Sequence, residues 1–181
     1  MSTRLDPSAP LEVPFAAETG VRPAWFLLYA ISVALWAGGT TIFTLLVAPA
    51  VFRSFHRDLA GEIVGRVFPL YFPYVLGLSA VALVAFLAAT RERSGAAARL
   101  SLALLVMALV VNGYVSFKLY PDIQAVKREV PSFERDADSP ARRHFGRLHG
   151  LSSALNLLVL CDGLALVLLL PAVGRSGARS P

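Results

Sequence analysis

Residues 157–170 read LLVLCDGLALVLLL, and residues 102–111 read LALLVMALVV. Both stretches are apolar nearly all round, whereas a helix of a soluble bundle keeps a polar stripe on one side. They belong to four windows of sequence that carry almost no charge. These windows lie between Arg22 and Arg53, between Arg66 and Arg91, between Arg99 and Lys118, and between Arg147 and Arg175, where Asp162 is the one charge.

Each window is long enough to form a transmembrane helix. A helix rises 1.5 Å per residue, so about 20 apolar residues cross a hydrocarbon core of about 30 Å. An unpaired backbone amide in lipid costs several kcal/mol, which leaves a helix as the expected conformation. The sequence therefore predicts an all-α fold, an integral membrane four-helix bundle with up-down-up-down connectivity.

The composition also argues for a membrane protein and against a soluble one. Hydrophobic residues make up 56% of the 181 residues, charged residues make up 16%, and the mean hydropathy is +0.62. The formal net charge is +5, but the basic residues flank apolar helices. We therefore expect the lipid bilayer as the partner of this charge, and no nucleic acid. Cys161 is the single cysteine, which excludes an internal disulfide and a CxxC metal motif.

The chain is predicted to divide into a disordered tail over residues 1–22, a transmembrane domain over 23–171 and a second disordered tail over 172–181. Both tails are polar or rich in proline, serine and alanine, a composition typical of disorder. The predicted helices run from Ala24 to Val51, from FPLYFPYV at 68–75 to Thr90, from after Arg99 to Tyr120, and from Arg143 to just before Pro171. An amphipathic stretch in the first loop is expected to rest at the membrane interface.

One polar stripe lies in the fourth window. His149, Ser153 and Asn156 are spaced i, i+4 and i+7, with Ser152 beside them, so they share one helix face. Two interpretations stay open besides a chance exposure of the stripe to solvent. The stripe forms hydrogen bonds between packed helices, or it is a site in which His149 acts as a ligand, a proton relay or a headgroup-binding residue.

The connectivity adds three residues to the membrane face on which this stripe begins. They are His56 in the first loop, Tyr71 at the predicted start of the second helix and Lys118 at the end of the third. A cluster of this kind can bind a metal ion or an anionic headgroup, with His56 and His149 as the metal-ligand candidates. The sequence contains no P-loop, GxSxG or HExxH motif and no second deep histidine for haem. It therefore predicts no catalytic residue and no cofactor.

Two further features concern packing and buried charge. LWAGGTTIF at residues 35–43 places Trp36, Gly38 and Gly39 where small residues let another helix approach, so it is predicted to be a packing motif. Asp162 is costly to ionise in lipid. It is expected to be protonated, to pair with Ser and Thr of the first helix, or to lie in the opposite interface, and the sequence does not choose among these.

Four stretches, LWAGGTTIF, APAVF at 48–52, FPLYF at 68–72 and LHGLSSALN at 148–156, resemble the transmembrane protein 205-like family. This family consists of small four-helix membrane proteins with a bacterial branch of unknown function, and the resemblance covers roughly residues 28–170. Its pattern falls on Trp36, Gly38, Phe68, Pro69, Tyr71, Phe72, His149 and Asn156. The resemblance implies no reaction, although the association of eukaryotic members with platinum-drug resistance implies handling of metals or organic compounds. The first helix is more distantly similar to that of copper-resistance D proteins and of the bacterial four-helix protoporphyrinogen oxidase.

These features predict a multi-pass protein of a bacterial inner membrane that has no enzymatic activity. It would act in transport, in stress or metal tolerance, or in support of a membrane complex, and a transporter would need to be a homo-oligomer. The alternative is a membrane-bound oxidoreductase or a cofactor- or metal-binding protein. Ten Lys and Arg flank loops one and three and seven flank the other side, which predicts that loops one and three are cytoplasmic. Three arginines in the short second loop argue for the opposite orientation.

Overall fold

The computed structural model describes residues 21–90, 95–130, 132–133 and 139–175. Every regular element in these ranges is helical, and the elements join into four long helices. These are α1 (Val21–Ile42, Phe43–Val47 and Ala48–Ser54), α2 (Arg57–Ala89), α3 (Ala96–Tyr114, Val115–Leu119 and Tyr120–Lys127) and α4 (Pro140–Arg175). The prediction of an all-α four-helix bundle is confirmed. Residues 1–20 and 176–181, which form most of the two predicted tails, lie outside the described residues.

Each of the four helices is long and apolar enough to cross a membrane. Only 28% to 33% of the residues in their apolar windows are buried inside the protein. The other apolar side chains point outward, among them Leu70, Phe117 and Leu168, whose exposed fractions are 77%, 77% and 80%. An apolar surface of this extent marks contact with lipid rather than water. The chain is therefore a multi-pass membrane protein.

The helices form a ring in which each one contacts the helices before and after it. Backbone contacts join α1 to α2, α2 to α3, α3 to α4 and α4 back to α1. The diagonal pairs, α1 with α3 and α2 with α4, have no such contacts in the part of the chain that the structure describes. Side chains that meet across a diagonal must therefore lie on the central axis of the bundle.

The predicted start of the second helix is wrong. α2 begins at Arg57 rather than near Phe68, so the amphipathic stretch assigned to loop one is helical and continuous with the span. Pro69 and Pro73 consequently lie inside α2 instead of in its first turns. An interior proline removes one backbone hydrogen bond, and packed membrane helices tolerate this because neighbouring groups satisfy the remaining carbonyl.

Two predicted helix ends are also wrong because the helix continues through a proline. α3 continues past Pro121 to Lys127, and α4 passes through Pro171 to Arg175. α4 also starts slightly earlier than expected, at Pro140, where proline is well tolerated in a first helical turn. Prolines in these helices therefore lie inside the helix or in its first turn, and none of them ends a helix.

Two helices widen for one turn shortly before a proline. In α1 the π-helical turn Phe43–Val47 precedes Pro49, and in α3 the π-helical turn Val115–Leu119 precedes Pro121. Proline has no N–H to continue the α-helical ladder, and a π turn shifts that ladder by one residue. Such turns are frequent at functional sites. The turn in α1 carries Thr44, which is part of the site described below.

α1 and α4 approach each other closely at Gly163. A Cβ atom there would lie 3.2 Å from the Cβ of Ala37, 3.4 Å from its Cα and 3.7 Å from Cε2 of Trp36. Trp36 is completely buried at this contact. The predicted packing motif thus contributes Trp36 to the α1–α4 interface. The glycine that permits the close approach of the two helices is Gly163 of α4, which is not part of the motif.

The two glycines of the predicted packing motif differ from each other. No heavy atom of the described residues lies within 4 Å of a Cβ built on Gly38, so a close-packing role has no support there. Gly39 lies under the ring of Tyr74, which would be 3.0 Å from its Cβ. The Tyr74 hydroxyl crosses this glycine to donate a hydrogen bond to the carbonyl of Leu35 at 2.9 Å. Gly39 therefore admits a side chain of α2 and not a helix backbone.

Candidate functional site: a cleft at the end of the bundle

A cleft opens between the helices at the end where loops one and three lie. It consists of an outer chamber of about 250 Å³ and an inner chamber of about 220 Å³. Phe52, Val64, Phe68 and His149 line both chambers, so the two chambers adjoin. Pockets of this kind, mostly apolar with a few polar groups, are typical of small-ligand sites.

Aromatic rings form much of the cleft wall. Four rings from α1 and α2 contact one another in pairs, with centroids 4.6 to 6.4 Å apart; they are Phe43, Phe68, Tyr71 and Phe72. On the opposite side, the ring of Phe145 contacts those of Phe133 and His149 at 4.7 and 5.5 Å. Space for the outer chamber comes from three glycines, Gly61 and Gly65 of α2 and Gly146 of α4.

Three cations line the outer chamber: Arg57 of α2, Lys127 of α3 and Arg142 of α4. The described residues that line this chamber include no carboxylate. The ammonium of Lys127 donates a hydrogen bond to the carbonyl of Gly61 at 2.8 Å. This bond ties α3 to α2 and holds one positive charge at the chamber wall.

Arg142 contributes a second fixed positive charge. Its guanidinium carbon lies 5.0 Å from the centroid of the Phe133 ring, within cation–π range. Its Nε atom is buried and has no hydrogen-bond partner among the described residues. A buried N–H without an acceptor is unfavourable. The chamber therefore favours a ligand that offers acceptor oxygens and negative charge.

A hydrogen-bonded network of three side chains forms the inner end of the cleft. The Tyr71 hydroxyl of α2 donates to Oδ1 of Asn156 in α4 at 2.9 Å, and Nδ2 of Asn156 donates to the Thr44 hydroxyl of α1 at 2.8 Å. Because α2 and α4 are diagonal to each other, the Asn156 amide lies on the central axis of the bundle. The π turn of α1 carries the threonine that receives the second bond.

The structure brings together five of the six residues predicted as a polar cluster. His149, Ser152, Ser153, Asn156 and Tyr71 line the inner chamber. These five residues differ in the contacts that their side chains make. The His149 ring is stacked on Phe145 at an interplanar angle of 10°, and the Ser153 hydroxyl donates to the His149 carbonyl at 2.9 Å within its own helix. Asn156 and Tyr71 are the members that bond between helices, and a ligand-binding role for the set stays a prediction.

Lys118, the sixth residue, is not part of the cleft. It is exposed in the π turn of α3 and forms an ion pair with Asp122 at 3.0 Å. His56 lies immediately before α2 and is absent from the described lining of both chambers. Within the described ranges, no group of three or more His, Cys, Asp or Glu residues is placed to hold a metal ion. The metal-site hypothesis for His56 and His149 therefore has no ligand set to support it there.

Sequence reasoning missed the role of Arg57, Lys127 and Arg142, because it counted them only as flanking charges. Nothing in the sequence separates these three from the other basic residues at the same end of the bundle. A partial signal was present in Gly61 and Gly65, which lie one helical turn apart beside Arg57. Paired small residues on one face indicate close approach of another group, here the Lys127 side chain.

Residues 31–132 match the family described as "Domain of unknown function (DUF4149)". The match covers more than half of the chain. The chain belongs to this family. A similar protein, an "Uncharacterized protein" of Aquifex aeolicus (strain VF5), is 31% identical over 130 residues, which are 72% of this chain and 84% of that protein. No solved structure matches the chain. The DUF4149 match includes Thr44, Tyr71 and both π turns, whereas α4 with His149 and Asn156 follows it.

Proposed function

We propose that this DUF4149 protein is a non-enzymatic membrane protein that binds the anionic headgroup of a phospholipid in its cleft. The observation that carries the proposal is the combination of three cations and aromatic walls, without a carboxylate in the described lining of the outer chamber. Basic pockets between transmembrane helices are a known way of holding anionic headgroups. Binding of this kind would serve transport, stress tolerance or the support of a membrane complex.

The position of the cleft favours a lipid over a soluble anion. It lies at one end of an apolar bundle whose outer helix faces are apolar, and in a membrane this end would lie near the headgroups. A phosphate group would accept hydrogen bonds from Arg142 and Lys127, and its apolar chains would lie against aromatic rings and the lipid-facing surface. A small inorganic anion has no apolar part that could pack against the aromatic walls.

We also propose where the protein is located and how it is oriented. We place the protein in a bacterial cell membrane with loops one and three on the cytoplasmic side. The excess of basic residues at this end supports that orientation, and the cleft lies at the same end. A homo-oligomer or a larger membrane complex is the expected working form, because the chambers of a single bundle end at the Asn156 network and do not form a path across it.

A relationship to the transmembrane protein 205-like family is part of the same proposal. Among the residues on which that resemblance falls, Trp36 is buried at the α1–α4 contact and Tyr71 and Asn156 bond to each other. A buried tryptophan between two helices and a hydrogen bond between two helices both stabilise the bundle, so related proteins are expected to have the same residues at these positions. The proposal is tested by aligning members of both families. Failure of Tyr71 and Asn156 to occur together would contradict it.

Lipid binding can be tested by thermal unfolding of the purified protein in a neutral detergent. Short-chain phosphatidylglycerol should raise the unfolding midpoint and short-chain phosphatidylcholine should not. A ligand at one hundred times its dissociation constant contributes about 2.7 kcal/mol. Arg142→Gln and Lys127→Gln should each remove most of the gain.

The matched control is Arg99→Gln, which removes the same charge from an exposed position at the opposite end of α3. It should retain the full effect of phosphatidylglycerol. Equal stabilisation by both lipids, or an equal loss in the Arg99 variant, would contradict a specific headgroup site. The oxidoreductase alternative predicts visible absorption by the purified protein, and a Soret band would overturn the non-enzymatic proposal.

A further inference from the structure

A second polar site lies in the middle of the bundle, away from the cleft. Asp162 is near the centre of the window between Arg147 and Arg175, and its exposed fraction is 3%. Neither of its carboxyl oxygens has a hydrogen-bond partner among the described residues. The expected pairing with Ser or Thr of the first helix is therefore wrong, and the burial favours a position inside the bundle over the opposite interface.

Three buried donor groups from two other helices lie near Asp162 or beside a group that does. Tyr29 and Trp36 of α1 and Ser101 of α3 are all completely buried, and their polar atoms also lack partners among the described residues. The Tyr29 hydroxyl faces Ser101 across a diagonal of the bundle, and a charge on Asp162 would act on that hydroxyl. The Trp36 indole lies against Gly163, the residue that follows Asp162.

None of these three groups carries a positive charge. Tyr29 of α1 is the titratable group on which a charge at Asp162 would act, and Ser101 of α3 lies beside the Tyr29 hydroxyl. α2 reaches the cluster through Phe86, whose ring lies 5.2 Å from that of Tyr29. A carboxylate buried without a cation is strongly unfavourable, whereas a neutral carboxylic acid is tolerated. The fold therefore favours a proton on Asp162.

The three donors can also stabilise the charged form of Asp162. A hydroxyl of tyrosine or serine and an indole N–H can each donate to a carboxylate, and hydrogen bonds to the charged form of a group stabilise it. An apolar residue at position 162 would lower the stability of the folded protein less than a buried aspartate does. Ionisable residues inside membrane bundles are a recurrent feature of proton pathways.

We infer that Asp162, together with Tyr29, Ser101 and Trp36, forms a proton-binding site in the middle of the membrane. At neutral pH the proton is held on the carboxyl group. When the proton passes to water, the carboxylate that remains accepts hydrogen bonds from the three donors. This site is distinct from the anion cleft and does not depend on the function proposed for it.

A polar stripe on α1 connects the two sites. Trp36, Thr40 and Thr44 follow one another at four-residue intervals, and Thr44 bonds to Asn156 at the inner end of the cleft. Thr40 is completely buried between them, and its hydroxyl has no partner among the described residues. The stripe offers hydroxyl groups along the route between the cleft and Asp162.

Infrared spectroscopy of the full chain in lipid nanodiscs tests the inference directly. At neutral pH the wild-type protein should show the carbonyl band of a protonated carboxylic acid, and the band should shift in D₂O. The band should disappear in Asp162→Asn and persist in the control Asp122→Asn, whose carboxylate is paired with Lys118 at the protein surface. Wild-type and Asp162→Asn spectra that coincide throughout this region would overturn the inference.

Thermal stability provides a second readout. Asp162→Asn removes the titratable group at this position, so it should weaken the dependence of the unfolding midpoint on pH. If the ligand were Na⁺ instead, NaCl would raise the wild-type midpoint more than choline chloride and the carbonyl band would be absent, which would overturn proton binding.

Discussion

α4 meets α1 in two different ways along its length. At the cleft, Asn156 forms a hydrogen bond to Thr44 and a second one to Tyr71 of α2. Two turns further along α4, Gly163 packs directly against Ala37, and the polar atoms beside this contact have no partner among the described residues.

The difference reflects how helices associate in lipid. Apolar side chains gain little by leaving lipid tails, so association depends on hydrogen bonds between helices or on close packing at small residues. This bundle uses the first means at one level and the second at another. Because packing holds the middle of the interface, Asp162 and its neighbours are not needed as structural bonds. They are available to a ligand, and the proton is the ligand that their chemistry fits.

The largest effect is expected from a substitution in the packed region. Gly163→Val places a branched side chain where even a single Cβ would lie 3.4 Å from backbone of α1. Overpacking of this kind costs about 1–3 kcal/mol or more, and the contact involves backbone that cannot rotate away. The free energy of unfolding, measured by titration with a denaturing detergent, should fall accordingly.

Gly38→Ala is the matched control for that measurement. No described atom lies within 4 Å of its new Cβ, and alanine favours a helix over glycine by up to about 1 kcal/mol. Its stability should therefore be unchanged or slightly higher. Similar losses in both variants would show that Gly163 is not a special point of contact.

A smaller effect is expected from a substitution in the hydrogen-bonded region. Asn156→Leu removes two bonds and leaves the hydroxyls of Tyr71 and Thr44 without their partner. Interhelical bonds in membranes contribute on average about 0.6 kcal/mol each, so a loss of about 1 kcal/mol in the free energy of unfolding is expected. In a double-mutant cycle, Asn156→Leu and Tyr71→Phe should show a coupling of about 0.5 kcal/mol or more. Strictly additive losses would mean that the Tyr71–Asn156 bond contributes nothing.

The smallest effect is expected at Ser153, a neighbour of the same network. Its hydroxyl bonds to the His149 carbonyl one turn earlier in α4 and does not reach another helix. Ser153→Ala should therefore change the free energy of unfolding by less than about 0.5 kcal/mol. A loss as large as that of Asn156→Leu would indicate that the whole stripe, and not Asn156 alone, joins the helices.

The candidate site was predictable in part. A helical repeat alone places His149, Ser153 and Asn156 on one face, and the connectivity brings Tyr71 to the same end of the bundle. Lys118 was expected there by the same reasoning, but its direction around α3 depends on the π turn that contains it. The cations of the outer chamber could not be separated from other flanking charges, because their selection depends on which helix faces meet.

The sequence alone determined that four charge-poor windows would be helices in a membrane, since lipid offers the backbone no alternative hydrogen-bond partners. It also determined that polar residues inside those windows would be few and confined to particular faces. Only the tertiary structure decided which of them are bonded and which are not. Whether a polar group inside lipid finds a partner depends on how the helices are rotated and how closely they approach. The close approach of α1 and α4 at Gly163 is one example, because it brings Trp36 of α1 to the residue next to Asp162.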